Sequence, residues 1–230
     1  MAGLPDYLSR MTGPRHLHVK ICGLKTEADI RATIESGARW LGFVHFEKSP
    51  RHVSRDDGKA LIAYARSVSQ EVETVVLLVN PDAGFAVDLA NDWDVDHIQL
   101  HGNEPNTQLQ DIRAKRGRGE LWKALPVCGA DDLKLVSDYP AADRFLFDAK
   151  PPEDADRPGG WGHSFDWTIL QGFSCDRPWL LAGGLTPENV AEAVRISGTR
   201  AVDVSSGVER EKGVKDIGLI ADFCRAAQSA

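Results

Sequence analysis

A single-domain (β/α)8 barrel is the fold this sequence predicts, on three observations. Eight short runs rich in β-branched and aromatic residues recur along the chain, segments with helix start signals separate them, and no dinucleotide fingerprint follows the first run. Strands joined by helical crossovers run parallel, and eight such units in 230 residues fit a closed barrel better than an open doubly wound sheet. The open sheet would usually place GxGxxG after its first strand, where this chain has Cys22-Gly23-Leu24. A chain of this length buries roughly 70–75% of the surface it exposes when unfolded, enough for one sizeable core.

In chain order, the first strand is expected at 17–22 (LHVKIC), and Thr26 then opens the helix-like EADIRATIES. A strand at 40–46 (WLGFVHF) precedes Ser54 and RDDGKALIAYARS, and one at 73–79 (ETVVLLV) precedes DAGFAVDLAND, opened by Pro81. Strands at 97–101, 121–127, 144–149 and 179–183 follow, then Thr186-Pro187 ahead of ENVAEAVRIS. The eighth strand, 201–205, is followed by Asp216 and the amphipathic IGLIADFCRAA. The barrel thus spans 17–230, and residues 1–16 read as a loose N-terminal extension. A loop rich in proline and glycine, 151–164, follows the sixth strand, where it is either a tolerated insertion or a segment that covers substrate.

Composition narrows the function. With 27 Lys+Arg against 34 Asp+Glu, a formal charge of −7 and no basic run, the chain offers no nucleic-acid or membrane surface. Its longest apolar runs, Leu61–Ala65 and Val75–Val79, fall far short of the roughly 20 residues that span a bilayer. The N-terminus lacks the apolar core of a signal peptide, so a cytoplasmic location is expected. Cys22, Cys128, Cys175 and Cys224 form no CxxC pair and are expected as free thiols. The histidines show no metal-ligand spacing, so no metal is expected.

Alternation along a strand puts Lys20 with Cys22, Gln99 with His101, and Asp203 with Ser205, while Asp148 ends the sixth strand. If those faces point inward, ionisable groups from at least four strands converge at the C-terminal end of the barrel, an arrangement too costly to leave without a ligand. Cys22 alone reads as a small buried hydrophobe, but its place at a strand end beside Lys20 favours catalysis. Asp148 is either a cap or partner of Lys150, or a catalytic group. His101 and Gln99 either satisfy one another or serve the site. The turns Ala182-Gly183-Gly184-Leu185 and Ser205-Ser206-Gly207-Val208 follow strands seven and eight, where barrels commonly hold phosphate on backbone N–H groups. Arg51, stiffened by Pro50, suits a carboxylate.

Six strings together, VKICGLKT (19–26), LGFVHFEKSPRHVS (41–54), IQLHGNE (98–104), FDAK (147–150), AGGLTPENV (182–190) and AVDVSSGVE (201–209), resemble the phosphoribosylanthranilate isomerases of tryptophan biosynthesis. The resemblance runs in order from about 17 to 225. It implies a cofactor-free Amadori rearrangement of N-(5-phosphoribosyl)anthranilate to 1-(2-carboxyphenylamino)-1-deoxyribulose 5-phosphate. It implies Cys22 as general base, Asp148 as general acid and Arg51 as the partner of the anthranilate carboxylate. Phosphate would lie on Gly183, Gly184, Ser205, Ser206 and Gly207, and Asp203 would hold sugar hydroxyls. Lys20 is the neighbour expected to pull the Cys22 pKa down, against the opposing phosphate and carboxylate charges, and His101 is expected to contact substrate. His45 departs from the aromatic residue usual at its position, and the 151–164 loop is long and carries Trp161. The partner is then a phosphorylated small molecule, acted on by a monomer or homodimer. Competing readings are a phosphosugar aldolase using Lys20 or Lys123 as a Schiff base, the related isomerase of histidine biosynthesis, which has carboxylates at both catalytic strands, and a non-catalytic phospholigand sensor.

Overall fold

The computed structural model describes residues 17–150, 159, 162 and 164–230. The proposed 1–16 extension, and the 151–164 loop apart from Gly159, Gly162 and Ser164, lie outside the described residues. The expected barrel is present: β1 (His18–Cys22), β2 (Trp40–Val44), β3 (Glu73–Leu78), β4 (His97–Leu100), β5 (Leu121–Val127), β6 (Arg144–Ala149), β7 (Trp179–Leu181) and β8 (Ala201–Val204) form a closed sheet in sequence order. Every neighbouring pair is parallel, and β1 closes the ring by pairing Lys20 with Trp40 of β2 and with Asp203 of β8.

Helices α1 (Glu27–Glu35), α2 (Arg55–Val68), α3 (Ala83–Asp92), α4 (Asn106–Arg116), α5 (Val190–Ser197) and α6 (Ile217–Gln228) carry the crossovers and cover the C-terminus. Start signals hold for local reasons. Thr26 accepts the N–H of Asp29 at 3.1 Å, and Asp29 returns a bond to the Thr26 N–H at 3.2 Å, a reciprocal capping box. Ser54 and Asp216 cap α2 and α6 in the same sense. Two starts move: Asp82, not Pro81, caps α3, and α5 begins only after Asn189, because the Asn189 side chain first turns back to take the Thr186 N–H.

The regular βα alternation breaks after β5 and β6, where 3-10 helices (Ala130–Asp138 and Trp167–Leu170) stand in for α-helices. The first ends at Tyr139, which precedes Pro140 and leaves the helical region at φ −121°, ψ 60°. After β8 the chain also folds a small antiparallel hairpin, β9 (Glu209–Glu211) with β10 (Val214–Lys215), absent from the sequence expectation.

The strands' two faces separate cleanly. Val19, Ile21, Leu41, Phe43, Ile98, Leu100, Phe145 and Phe147 pack outward into the main core beneath the helices. Trp40, Val75, Trp122, Leu146 and Leu180 face inward as a separate cluster in the barrel. Trp40 and Trp122 meet edge to face at 5.3 Å, with the Arg144 guanidinium 5.1 Å from each ring. Glu73 accepts from Trp40 Nε1 at 2.7 Å and Arg39 at 2.9 Å, and lies 2.9 Å from His97 Nε2. These side chains plug the N-terminal end, and the barrel opens to a cavity at the other end.

Candidate active site

At the C-terminal end of the strands lies a cavity open to solvent. Among its lining residues are Cys22 of β1, Arg51 after β2, His101 after β4, Asp148 of β6, Gly183 and Gly184 after β7, and Asp203 with Ser205 and Ser206 from β8 onward. Val44, Phe46, Leu77 and Val79 give one wall an apolar surface suited to a flat ring. Residues that alternation placed on shared faces, from strands far apart in sequence, thus meet around one space.

Lys20 lies beneath rather than on that surface. It is fully buried, and its Nζ donates to Asp203 Oδ1 at 2.9 Å. Burial pulls its pKa down, but the charge and hydrogen bond of the Asp203 carboxylate oppose it and the net shift is upward, so Lys20 is an ammonium. This weighs against a Schiff-base role, which needs a free amine. Lys123, the other candidate, points away from the cavity and is held by Glu104 at 3.0 Å and the Gly102 carbonyl at 2.7 Å.

At Cys22 the expected pull of Lys20 is present, but burial, the larger effect, pushes the thiol up, and the Asp203 carboxylate adds to the rise. The resting group is a thiol. Its carbonyl accepts from Ser205 Oγ at 2.9 Å, fixing β1 against the turn after β8.

Across the barrel, Asp148 Oδ1 accepts the Ala149 N–H at 2.9 Å, and Oδ2 lies 3.2 Å from His101 Nε2. Gln99 Nε2 lies 3.0 Å from His101 Nδ1, so both readings of that pair hold at once: the two side chains meet, and the histidine also faces the cavity. Asp148 Oδ1 approaches the chain at Gly183, where a Cβ would sit 3.0 Å from it and 2.5 Å from the Ala149 nitrogen. With φ at +85°, that position takes glycine on both counts.

The two turns differ in their use. Gly183, Gly184, Ser205 and Ser206 line the cavity. Ser206 and Gly207 open a 3-10 turn, Ser206–Val208, whose first N–H groups have no acceptor within the helix and suit a phosphate. Gly207 is not among the lining residues. Its small size serves packing, since a Cβ there would overlap the Leu185 carbonyl.

Arg51 is buried, and its guanidinium forms a two-point pair with Glu209, Nε to Oε1 at 2.7 Å and Nη2 to Oε2 at 2.9 Å. Glu209 also accepts from Lys215 Nζ at 3.0 Å. In the sequence Glu209 ends the AVDVSSGVE string, and Lys215 carries no motif of its own. An acidic residue and a lysine flanking Lys212-Gly213 were the only available signal. The departure at His45 lies outside the cavity lining, where the ring packs against His52 at 4.9 Å and Trp93 at 5.7 Å.

A family profile for N-(5'-phosphoribosyl)anthranilate (PRA) isomerase matches residues 19–226. The N-(5'-phosphoribosyl)anthranilate isomerase of Rhodopseudomonas palustris is 44% identical over 213 residues, covering 92% of this chain and 98% of its own. The crystal structure of the Thermotoga maritima enzyme superposes with a TM-score of 0.82 at 35% identity, covering 93% of this chain and all 100% of the other. A phosphoribosyl anthranilate isomerase in complex with reduced 1-(o-carboxyphenylamino)-1-deoxyribulose 5-phosphate gives 0.78 at 31% identity, with 93% and 100% coverage.

Proposed function

This chain belongs to the N-(5'-phosphoribosyl)anthranilate isomerase family, and from that premise we propose how its residues carry the reaction. It is an isomerase of tryptophan biosynthesis, converting N-(5-phosphoribosyl)anthranilate to 1-(2-carboxyphenylamino)-1-deoxyribulose 5-phosphate. The observation that carries the assignment of roles is that Cys22 and Asp148 face one cavity from β1 and β6, three strands apart on the ring, with both glycine-containing turns between them.

Asp148 is the general acid. It gives its Oδ2 proton to the furanose ring oxygen, the ring opens, and the anthranilate nitrogen takes up the positive charge as an iminium ion. His101 serves this step from the side, its Nε2–H steadying the carboxylate left behind. Cys22 is the base that removes the C2 proton, and the electron pair flows to the iminium to give an enolamine, which tautomerises to the ketone. Because Cys22 rests as a thiol, the reactive fraction is the thiolate formed beside the Lys20 ammonium.

Binding divides along the substrate. The Gly183-Gly184 and Ser205-Ser206 turns take the phosphate, with Gly207 supplying only an N–H from behind. Asp203 takes sugar hydroxyls and Arg51 the carboxylate, with the ring against Val44, Phe46, Leu77 and Val79. The protein works in the cytoplasm as a monomer or homodimer. Turnover is tested by following the fluorescence of N-(5-phosphoribosyl)anthranilate made in situ. Its decay on adding the purified protein is the expected result, and an unchanged signal overturns the assignment.

A further inference from the structure

An arginine offers five N–H donors, and Glu209 takes two of Arg51's, from Nε and Nη2. Those two nitrogens form one carboxylate-matching edge of the guanidinium. The edge made by Nη1 and the second Nη2–H is left for a second carboxylate. Arg51 and Glu209 side chains are only 5% and 4% exposed, so the pair is held with little competition from solvent.

The segment carrying Arg51 is fastened to the β9–β10 hairpin by more than this pair. Gly213, with φ at +82°, lies so close to the Pro50 carbonyl that a Cβ would stand 2.5 Å from it, and its N–H donates to Glu209 Oε2 at 3.0 Å. Lys25 Nζ donates to the same Pro50 carbonyl at 3.1 Å. On the inner side, Gly23 leaves room for the arginine stem, since a Cβ there would lie 2.7 Å from Arg51 Cδ.

The network continues to the other end of the site. Lys215, fully buried at its side chain, donates to Glu209 Oε1 at 3.0 Å and to the Ser205 carbonyl at 2.8 Å. Ser205 opens the proposed phosphate turn and bonds the Cys22 carbonyl. Two cations and one carboxylate in this buried cluster leave a surplus positive charge, which one ligand carboxylate would balance.

We propose that Glu209 is a positioning residue for the isomerisation: it grips one edge of Arg51 so that the other meets the anthranilate carboxylate. The proposal rests on the reading that Arg51 binds that carboxylate. Glu209→Gln keeps the shape, but its amide turns an N–H toward one of the arginine donors.

The test compares wild type, Arg51→Ala, Glu209→Gln and the double variant on N-(5-phosphoribosyl)anthranilate and on N-(5-phosphoribosyl)aniline, which lacks the carboxylate. On the anthranilate, Glu209→Gln is expected to raise KM about 10-fold with kcat within about two-fold, the loss of one charge-assisted contact. On the aniline, its KM should match wild type, and the double variant should behave as Arg51→Ala alone. A KM rise equal on both substrates, a fall in kcat at constant KM, or additive losses in the double variant would overturn the positioning role. If Arg51→Ala itself fails to distinguish the two substrates, the carboxylate assignment of Arg51 has failed, and this proposal with it. Should Glu209→Gln not fold, Glu209→Asp carries the same comparison, keeping the charge but drawing the edge back by one methylene.

Discussion

His101 Nε2 stands 3.2 Å from Asp148 Oδ2, joining the ends of β4 and β6 at the floor of the cavity, while Gln99 holds the opposite nitrogen of the same ring. The tautomer of His101 therefore decides whether Asp148 faces a donor or an acceptor. Gln99 Oε1 is buried with no partner among the described residues in the orientation that places Nε2 on the ring. With Gln99 Nε2 donating to Nδ1, the ring carries its proton on Nε2 and presents a donor to Asp148 Oδ2; turning the amide over would reverse that.

Asp148→Asn keeps the shape and loses the acidic proton. Its kcat is expected to fall about 10²–10⁴-fold, the usual worth of a general acid, while a reduced product analogue binds nearly as before. Near-normal kcat in a calorimetrically intact variant would show that another group protonates the ring oxygen.

For Cys22, burial gives the pH dependence its sign. A base whose thiol pKa is raised in the free protein is inactive when protonated, so kcat/KM should climb with pH through and above the ordinary thiol range of about 8.5. Cys22→Ala should lose about 10²–10⁴-fold in kcat and the alkaline rise with it. Cys128 is exposed, so alkylating reagents will label it first. Inactivation should follow modification of Cys22, be slowed by bound product analogue, and persist in Cys128→Ser. A pH profile unchanged in Cys22→Ala would remove this cysteine from the mechanism.

How far the sequence carried this reading depended on how local the cause was. Strands were legible because a buried parallel strand is a short apolar run, and the inward faces of β1, β4 and β8 followed from alternation alone. Helices announced by Thr26, Ser54 and Asp216 were legible through their caps. Helix α4 was not, since it follows Pro105 without a side-chain cap and buries only Leu109 and Ile112. The protonation of Cys22 was out of reach because it depends first on how completely the fold buries the thiol, and then on Asp203, 183 positions from Lys20, which pairs with that lysine. The Arg51 partner was hidden for the same reason, Glu209 lying 158 residues away on a hairpin too short to show a period.

The mechanism moves protons only, between Asp148, Cys22 and the substrate, so no redox or Lewis-acid chemistry is called for. Dialysis against EDTA should leave full activity. Loss of turnover that one divalent ion restores would contradict the proton-only scheme.

The closed end of the barrel makes a separate prediction about stability. Glu73 is held down to about 2 from an ordinary value of 4.5, first by its hydrogen bond to His97, then by Arg39 and Trp40, against the cost of burial. A carboxylate depressed in the folded state contributes stability that is complete above its unfolded pKa and is lost as pH falls through the folded one. The loss should therefore begin near pH 4.5 and be complete near pH 2. Glu73→Gln leaves Arg39 and His97 imperfectly paired beside Trp40, which costs about 1–3 kcal/mol, or roughly 2–10 °C in Tm at this chain length. The catalytic groups sit at the other end of the strands, so kcat and KM measured below the transition should stay within about two-fold of wild type. Thermal melts of both proteins between pH 7 and pH 3 decide it: the gap in Tm should narrow as the pH drops, because protonation removes from wild type the charge that the variant already lacks. A gap that holds constant to pH 3 would mean that Glu73 stabilises the plug through its shape and not its charge.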